Sequence, residues 1–220
     1  MKGFFDMLTM IEVLKAILFG VVEGITEWLP ISSTGHMILL DEFVKLNVSK
    51  EFLDLFLVVI QLGAILAVVV IYWNKLIPLS IKHGLHISRR KCKMWVKIIV
   101  ASIPAGVVGI LWDDVFTKYF YNYQTVAIML ILVGVVFIII ERSNKNKIAK
   151  IDSIDDISYG QAFLIGVFQM IAAIFPGTSR SGSTIVGSLM LGISRTAAAE
   201  FTFFLAVPAM FGGSAIKILK

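Results

Sequence analysis

The fold of this chain is decided by a polar stretch that lies inside apolar sequence and reads Gly20-Val-Val-Glu23-Gly-Ile-Thr-Glu27-Trp-Leu-Pro30-Ile-Ser32-Ser33-Thr34-Gly-His36. A similar stretch occurs later as Gly166-Val-Phe-Gln169-Met-Ile-Ala-Ala-Ile-Phe-Pro176-Gly-Thr178-Ser179-Arg180-Ser181-Gly-Ser183-Thr184. Gly20 aligns with Gly166, and Ser33 with Ser179, at an offset of 146 residues. Carboxylates, hydroxyls and a guanidinium are costly to bury in apolar surroundings, so both copies are predicted to be functional.

The composition identifies an integral membrane protein. Of the 220 residues, 58% are hydrophobic, which is more apolar surface than a soluble domain of this size can bury. Leu55 to Trp73 is uncharged over 19 residues, and Tyr119 to Ile140 over 22. Each run is long enough to cross about 30 Å of hydrocarbon. Continuous apolar runs also exclude a closed β-barrel, whose strands alternate.

The pattern of apolar and polar segments predicts an all-α, polytopic membrane fold in one domain, 1–220. Two re-entrant helix-loop-helix hairpins are expected, one at 10–29 and 35–46 and one at 159–175 and 182–192. About four transmembrane helices are expected as well, at 53–73, 95–112, 122–141 and 197–218. The first repeat then covers 10–141, and the second, incomplete repeat covers 159–220. Repeats of inverted topology commonly build a site at their interface.

The distribution of charge predicts the topology. The chain carries a formal net charge of +5, and its basic residues crowd two loops, at 75–97 and 142–150. Positive loops mark the cytoplasmic side. The sequence contains no basic face interleaved with aromatic residues, so it does not indicate nucleic-acid binding. Three predicted spans separate the hairpins. The first hairpin should therefore enter from outside and the second from the cytoplasm, with their tips meeting in the membrane.

The hydroxyl-rich residues after each break predict a phosphate site. A helix N-terminus offers unpaired N–H groups and partial positive charge, and Arg180 offers a planar fork of donors. A structural salt bridge from Arg180 to Glu23 or Glu27 is the alternative. The candidate phosphate-binding residues are Ser32, Thr34, Thr178, Ser179, Arg180, Ser181, Ser183 and Thr184.

Glu23 and Glu27 are predicted to be catalytic and to hold a divalent cation. They lie at i and i+4, on one face of a helix. Two close carboxylates and a terminal phosphate carry more negative charge than Arg180 balances, which favours Mg²⁺ or Ca²⁺ held by oxygen ligands. Pairing of the two carboxylates with loop lysines is the alternative.

Ser33 and His36 are the candidate nucleophile and its partner. The histidine follows the serine by three residues, within reach to act as base or acid. An activated water is the rival nucleophile, and a capping role is the alternative for the hydroxyls. Elsewhere, four glycines are expected to permit close helix packing: Gly63, Gly106, Gly109 and Gly134.

Both motifs resemble those of the undecaprenyl-diphosphate phosphatases, the bacitracin-resistance family of bacterial inner membranes. The similarity also includes segments 58–63 and 203–208, so it covers almost the whole chain. The resemblance implies hydrolysis of undecaprenyl diphosphate to undecaprenyl phosphate and inorganic phosphate, which recycles the lipid carrier for cell-wall synthesis and gives bacitracin resistance. It implies a multi-pass protein of the inner membrane whose site faces outside. The resemblance also implies the roles of individual residues. The implied catalytic residues are Glu23, Glu27, Ser33, His36 and Arg180, and the implied phosphate loop contains Ser179, Arg180 and Thr184.

One departure from the family is expected to matter. Family chains usually continue for some forty to fifty residues with further membrane helices, so the second repeat lacks counterparts of 95–112 and 122–141. A short chain of this kind is either an inactive fragment with a structural role or a protein that needs a partner subunit, as in a homodimer. A lipid transporter that flips a polyprenyl phosphate is the competing function, because inverted repeats also underlie alternating access.

Overall fold

The computed structural model describes residues 2–80, 86–120, 122–145 and 147–219, and these ranges are almost entirely helical. Two-residue strands, β1 (Leu79–Ser80) and β2 (His86–Ile87), pair in antiparallel fashion. The predicted all-α class is confirmed. The helices of the described ranges are α1 (Lys2–Thr26), α2 (Ser33–Phe43), α3 (Lys50–Ile71), α4 (Trp73–Leu76), α5 (Arg89–Phe120), α6 (Tyr123–Asn144), α7 (Tyr159–Ile174), α8 (Arg180–Met190) and α9 (Arg195–Leu219).

Four helices are long and apolar enough to cross a membrane, as predicted. They contain the segments Lys50–Ile71, Arg89–Trp112, Gln124–Asn144 and Arg195–Ala215, of 22, 24, 21 and 21 residues. At a rise of about 1.5 Å per residue, each spans the hydrocarbon core. Their outward side chains are largely apolar and exposed, as lipid contact requires. The chain is therefore an integral, multi-pass membrane protein.

The two predicted helix-break-helix units are present at 2–43 and 159–190. In each, a serine caps the second helix through its side chain. Ser32 Oγ accepts from the Gly35 N–H at 3.3 Å, and Ser179 Oγ accepts from the Gly182 N–H at 3.1 Å. Such caps satisfy N–H groups that a helix start leaves unpaired. The inverted relation of the two units remains a prediction.

The caps correct the alignment of the two motifs by one residue. Ser32 and Ser179 share the left-handed backbone conformation, with φ of 62° and 59°. Two residues separate Pro176 from the capping Ser179, whereas one separates Pro30 from Ser32, and Gly177 has φ of 89°. Ser179 is therefore the counterpart of Ser32 rather than of Ser33. Ser33 corresponds to Arg180 instead, since each is the first residue of its helix.

The apolar core lies where α3, α5, α7 and α9 meet. Fully buried members include Ile98 on α5, Ile165 on α7 and Phe204 on α9. The break after α1 is joined to this core by Trp28, whose ring lies 5.8 Å from that of Phe203 and whose Nε1–H donates to the Ala64 carbonyl at 3.4 Å. Burying these rings fixes the position of the first break against α3 and α9.

The prediction about the packing glycines is wrong. A Cβ at Gly63, Gly106, Gly109 or Gly134 would meet no atom within 4 Å of it in the described part of the chain. Close approach occurs at Gly166 instead, where an added Cβ would lie 2.2 Å from the Ala101 carbonyl oxygen. Helices α5 and α7 touch backbone to backbone at this point, which only glycine permits.

Candidate active site

Glu27 is the centre at which the two breaks meet. It follows the last residue of α1, and its N–H still donates to the Glu23 carbonyl at 2.9 Å, so its side chain has a fixed direction. Its carboxylate forms an ion pair with Arg180 and accepts a hydrogen bond from Ser33 Oγ at 2.5 Å. Both partners of the ion pair are largely buried, with 19% and 14% of their side chains exposed. The structural alternative for Arg180, a salt bridge to this carboxylate, is present.

A cavity of about 250 Å³ opens beside this ion pair and is lined by both breaks. Most of the predicted phosphate-binding residues lie on its wall. Glu23, His36, Ser183 and Thr184 are not among its lining residues in the described part of the chain. The predicted site residues on the wall are Glu27, Ser32, Ser33, Thr34, Thr178, Ser179, Arg180 and Ser181.

The cavity offers hydrogen-bond donors that suit an anion. Helices α2 and α8 both begin at its wall, so their first-turn N–H groups and partial positive charges face one space. The Thr178 hydroxyl lies on the same wall, is only 2% exposed and has no hydrogen-bond partner among the described residues. A buried hydroxyl without a partner is uncommon, and a bound oxyanion would supply one.

Glu23 lies one turn before Glu27 and is fully buried. Neither of its carboxylate oxygens has a hydrogen-bond partner within the described ranges. The same holds for the amide oxygen of Gln169, its counterpart in the second motif. Burying a carboxylate without a partner is costly, so Glu23 is the side chain most in need of a ligand or a proton.

The carboxylate pair fits a hard divalent cation in part. The free oxygens of Glu23 are suitable ligands for Mg²⁺ or Ca²⁺. Those of Glu27 are occupied by Arg180 and Ser33. No group of three or more Asp, Glu, His or Cys side chains able to hold a metal occurs in the described residues. A cation here would therefore need phosphate or water oxygens to complete its coordination.

His36 is bonded within its own helix turn. Its Nδ1 lies 2.9 Å from the Ser32 carbonyl oxygen, which can only accept, so Nδ1 carries the hydrogen of this bond and Nε2 is the ring nitrogen left for another partner. No hydrogen bond joins His36 to Ser33 in the part of the chain that is described. The hydroxyl of Ser33 donates to Glu27 instead.

Thr184 packs behind the break that precedes α8. Its side chain is fully buried and lies 3.0 Å from the Arg180 carbonyl oxygen and 2.9 Å from the Thr202 hydroxyl. Thr202, on α9, is also buried. This pair of hydroxyls joins the first turn of α8 to the core, which holds Arg180 in place.

Several residues line the cavity without having been predicted as site residues, and three of them come from outside the two motifs: Gln61, Phe116 and Met210. Met210 is the most informative, because its Sδ accepts a hydrogen bond from Arg180 Nη2 at 3.4 Å. Gln61 is a polar residue within an apolar span, and this is a sequence signal that could have identified it. Phe116 and Met210 lie in apolar sequence and carry no signal of their own.

Comparison with known proteins defines the class of this membrane protein. Residues 16–220 match the family described as bacitracin resistance protein BacA, and the chain belongs to that family. It is 64% identical to the undecaprenyl-diphosphatase of Desulfitobacterium hafniense, over 97% of this chain and 77% of that protein. It is 61% identical to undecaprenyl-diphosphatase 1 of Clostridium acetobutylicum (96% and 77%) and 56% identical to the undecaprenyl-diphosphatase of Enterococcus faecalis (97% and 78%).

Proposed function

We propose that this protein is a membrane phosphatase that hydrolyses undecaprenyl diphosphate to undecaprenyl phosphate and inorganic phosphate. The reaction regenerates the lipid carrier of cell-wall synthesis and gives resistance to bacitracin. Family membership supports the reaction. The single structural observation that carries it is the convergence of Arg180 and Ser33 on Glu27 beside a cavity lined by two helix N-termini.

Phosphate binding begins with an exchange of partners at Arg180. The terminal phosphate carries a charge of about −1.5 to −2 at neutral pH, more than the single charge of the Glu27 carboxylate. Arg180 turns its fork to phosphate oxygens, and the α2 and α8 N-termini with the Thr178 hydroxyl bind the remaining ones. Glu27 is thereby released from its ion pair with Arg180.

Release of Glu27 prepares the attack. The carboxylate already accepts the Ser33 hydroxyl hydrogen, and once Arg180 has turned to the phosphate it is free to take that proton. Ser33 Oγ bonds to the terminal phosphorus, its proton passes to Glu27, and the bond from phosphorus to the bridging oxygen breaks, which frees undecaprenyl phosphate. Water then attacks the phosphoserine and releases inorganic phosphate. In the alternative, a water held at the same carboxylate attacks the phosphorus directly. His36, when both ring nitrogens carry a hydrogen, is proposed to give the Nε2 proton to the departing oxygen.

Glu23 and Glu27 are proposed to hold a divalent cation, Mg²⁺ or Ca²⁺, together with phosphate oxygens. Such a cation supplies charge neutralisation of the diphosphate. The two unpartnered oxygens of Glu23 support this assignment. The protein's own contribution is to keep these oxygens buried and without hydrogen-bond partners among the described residues.

The site is proposed to face outside, in the inner membrane of a bacterium. The basic loops at 75–97 and 142–150 support this orientation, because such loops stay in the cytoplasm. Phe116, at the end of α5 remote from the first basic loop, lines the cavity. A homodimer also stays a prediction, and the mass of the detergent-solubilised protein tests it.

Phosphate release from a polyprenyl diphosphate by purified protein in detergent tests the function. The wild type is expected to release phosphate, and Ser33→Ala and Arg180→Ala are expected to lose most of this activity. A transporter of lipid phosphates would release none, because moving a lipid breaks no phosphoanhydride bond. Release that persists in both variants would refute the catalytic assignment, and absence of release from a folded wild type with metal supplied would refute the enzyme.

A further inference from the structure

A second charged cavity lies at the other end of α5. It is remote from the cavity that both breaks line, which is termed the cleft. It has a volume of about 470 Å³ and is lined by Arg89, Arg90, Lys93, Lys97 and Asp155. Lys93 and the cleft residue Phe116 are separated by 23 residues of one helix, a distance of about 35 Å at 1.5 Å per residue. The two cavities therefore lie at opposite ends of the membrane span.

The charges of this cavity are unbalanced. Arg90 forms an ion pair with Asp155. Arg89 and Lys93 have no carboxylate within ion-pair distance among the described residues. A neighbouring cavity shares Arg90 and Asp155 but is balanced, because its further lining residues include two lysines and two acids. The excess of positive charge is therefore concentrated on the α5 side, at Arg89, Lys93 and Lys97.

Lys97 makes this surface more than a set of solvated cations. Only 7% of the residue is exposed, and its Nζ donates to the carbonyls of Ile154 at 3.3 Å and Asp155 at 2.6 Å. An ammonium has three hydrogens, so one remains for a ligand. The two carbonyl contacts fix the ammonium at the base of the cavity, and Arg89 and Lys93 lie above it.

An apolar stripe continues from the cationic residues along the same face of α5. Val96, Ile99 and Ile103 are all exposed, at 46%, 56% and 48%. With 3.6 residues per turn, Val96 and Ile103 follow Arg89 at seven and fourteen positions and lie within about 40° of it around the helix, and Ile99 lies beside them. The helix thus presents cations at the membrane boundary and aliphatic side chains directly below them, which matches the headgroup and acyl chains of one lipid.

We propose that this cavity binds the headgroup of an anionic phospholipid. Basic pockets at the cytoplasmic ends of membrane helices are suited to such headgroups, and the surface potential of anionic lipid attracts each added cation. The phosphate lies between Arg89, Lys93 and the free hydrogen of Lys97, and the acyl chains lie along the α5 stripe. A bound lipid joins the start of α5 to the segment at 154–155 and so stabilises the fold at the end opposite the cleft.

Thermal unfolding with added lipid tests the proposal. The midpoint Tm of purified protein in neutral detergent is measured with phosphatidylglycerol or with phosphatidylcholine. A ligand of the native state raises Tm, so phosphatidylglycerol is expected to raise it by several degrees and phosphatidylcholine by less. The two lipids therefore differ in the Tm increase that they cause. The double variant Arg89→Gln/Lys93→Gln is expected to lose more than half of this difference.

The matched control is Arg142→Gln/Lys145→Gln, which removes the same charge from the other basic loop. This control is expected to show the same Tm increase with phosphatidylglycerol as the wild type. Both double variants are expected to keep phosphate release. Equal losses in the two double variants would mean diffuse attraction and would overturn the site. The site would also be overturned if phosphatidylglycerol raised the Tm of the wild type no more than phosphatidylcholine does.

A measurement on the wild type covers the case in which Arg89→Gln/Lys93→Gln does not fold. Native mass spectrometry of protein from mixed micelles is expected to retain one phosphatidylglycerol after phosphatidylcholine has been removed. Retention of neither lipid, or of both equally, contradicts the proposal. The charge-conserving exchange Arg89→Lys/Lys93→Arg is expected to keep most of the Tm gain.

Discussion

Ser33 and Arg180 occupy the same position in two different helices, and both bind the carboxylate of Glu27. Each is the first residue after a capping serine with positive φ. Ser33 donates to one carboxylate oxygen and Arg180 to the other. In the proposed mechanism, the two breaks supply different chemistry from equivalent places: a hydroxyl for attack from the first and a guanidinium for phosphate from the second.

The first prediction concerns the fork of Arg180. Arg180→Lys keeps the charge but loses the planar pair of donors, so fewer phosphate oxygens are bound in the transition state. Loss of one such donor typically lowers kcat by about 10²–10³. We expect a decrease of this size in phosphate release from a polyprenyl diphosphate in detergent.

Arg195→Lys is the control for this variant. Arg195 also binds a glutamate, with its Nε 2.8 Å from Glu141 Oε2, but it is half exposed and lies outside the cleft. The kcat of the Arg195→Lys variant is expected to stay within about twofold of the wild type, because exposed ion pairs contribute little to stability. Equal losses in the two variants would show that the Arg180 effect is not specific to the cleft.

The second prediction separates stability from activity at Glu23. Glu23→Met replaces a fully buried carboxylate without hydrogen-bond partners by an apolar side chain of similar length. Removing an unsatisfied buried group is expected to raise the free energy of unfolding by about 1–3 kcal/mol. Phosphate release and its dependence on added Mg²⁺ or Ca²⁺ are expected to be lost.

Thermal unfolding and phosphate release are measured on the same metal-free preparation. Glu27→Met is the comparison, since its carboxylate has two partners, and it is expected to lower the stability as well as the activity. A destabilised but active Glu23→Met variant would remove Glu23 from the site and assign it a structural role.

The third prediction tests the contact between α5 and α7. Gly166→Ala places a methyl group where the Ala101 carbonyl oxygen lies, so the two helices must move apart. Overpacking of this kind costs about 1–3 kcal/mol. We expect a lower Tm for this variant in detergent.

Gly106→Ala is the matched control within the same helix pair. An added Cβ there meets nothing within 4 Å in the described residues, and alanine favours the helix by about 0.5–1 kcal/mol over glycine. Its Tm is expected to be unchanged or higher. If Gly106→Ala were destabilised as much as Gly166→Ala, the close approach of α5 and α7 would not be the cause.

The sequence was sufficient for the features that depend on local chemistry. The four spans followed from uncharged runs, and both breaks followed from Pro30 and Pro176 with the hydroxyls after them. The residues that meet at Glu27 were named as well, because polar groups within a membrane need one another.

The features that were missed depend on three-dimensional context. Sequence proximity suggested His36 as the partner of Ser33, but the histidine reaches back to the Ser32 carbonyl in its own helix, and Glu27 receives the hydroxyl. The extra residue at Gly177 shifted the alignment by one, which only its positive φ reveals. Whether a glycine is needed for packing depends on which helix lies beside it, as Gly166 illustrates.

The fourth prediction concerns the opposite entry of the two hairpins. Three apolar helices, α3, α5 and α6, lie between them, and an odd number of crossings places the hairpin ends on opposite sides of the membrane. In a Cys92→Ser background, single cysteines are introduced at Val48, after the first hairpin, and at Ile148, before the second. Both positions are exposed, at 38% and 94%.

Labelling of intact spheroplasts with a membrane-impermeant maleimide measures the side of each cysteine. The Val48→Cys variant is expected to react from outside, and Ile148→Cys only after the membrane is permeabilised, because the basic loop at 142–150 stays in the cytoplasm. A permeant maleimide controls for reactivity at both positions. Labelling of both cysteines from the same side would require an even number of crossings. One of the three helices would then lie within the membrane without spanning it, and the two breaks would enter from the same face.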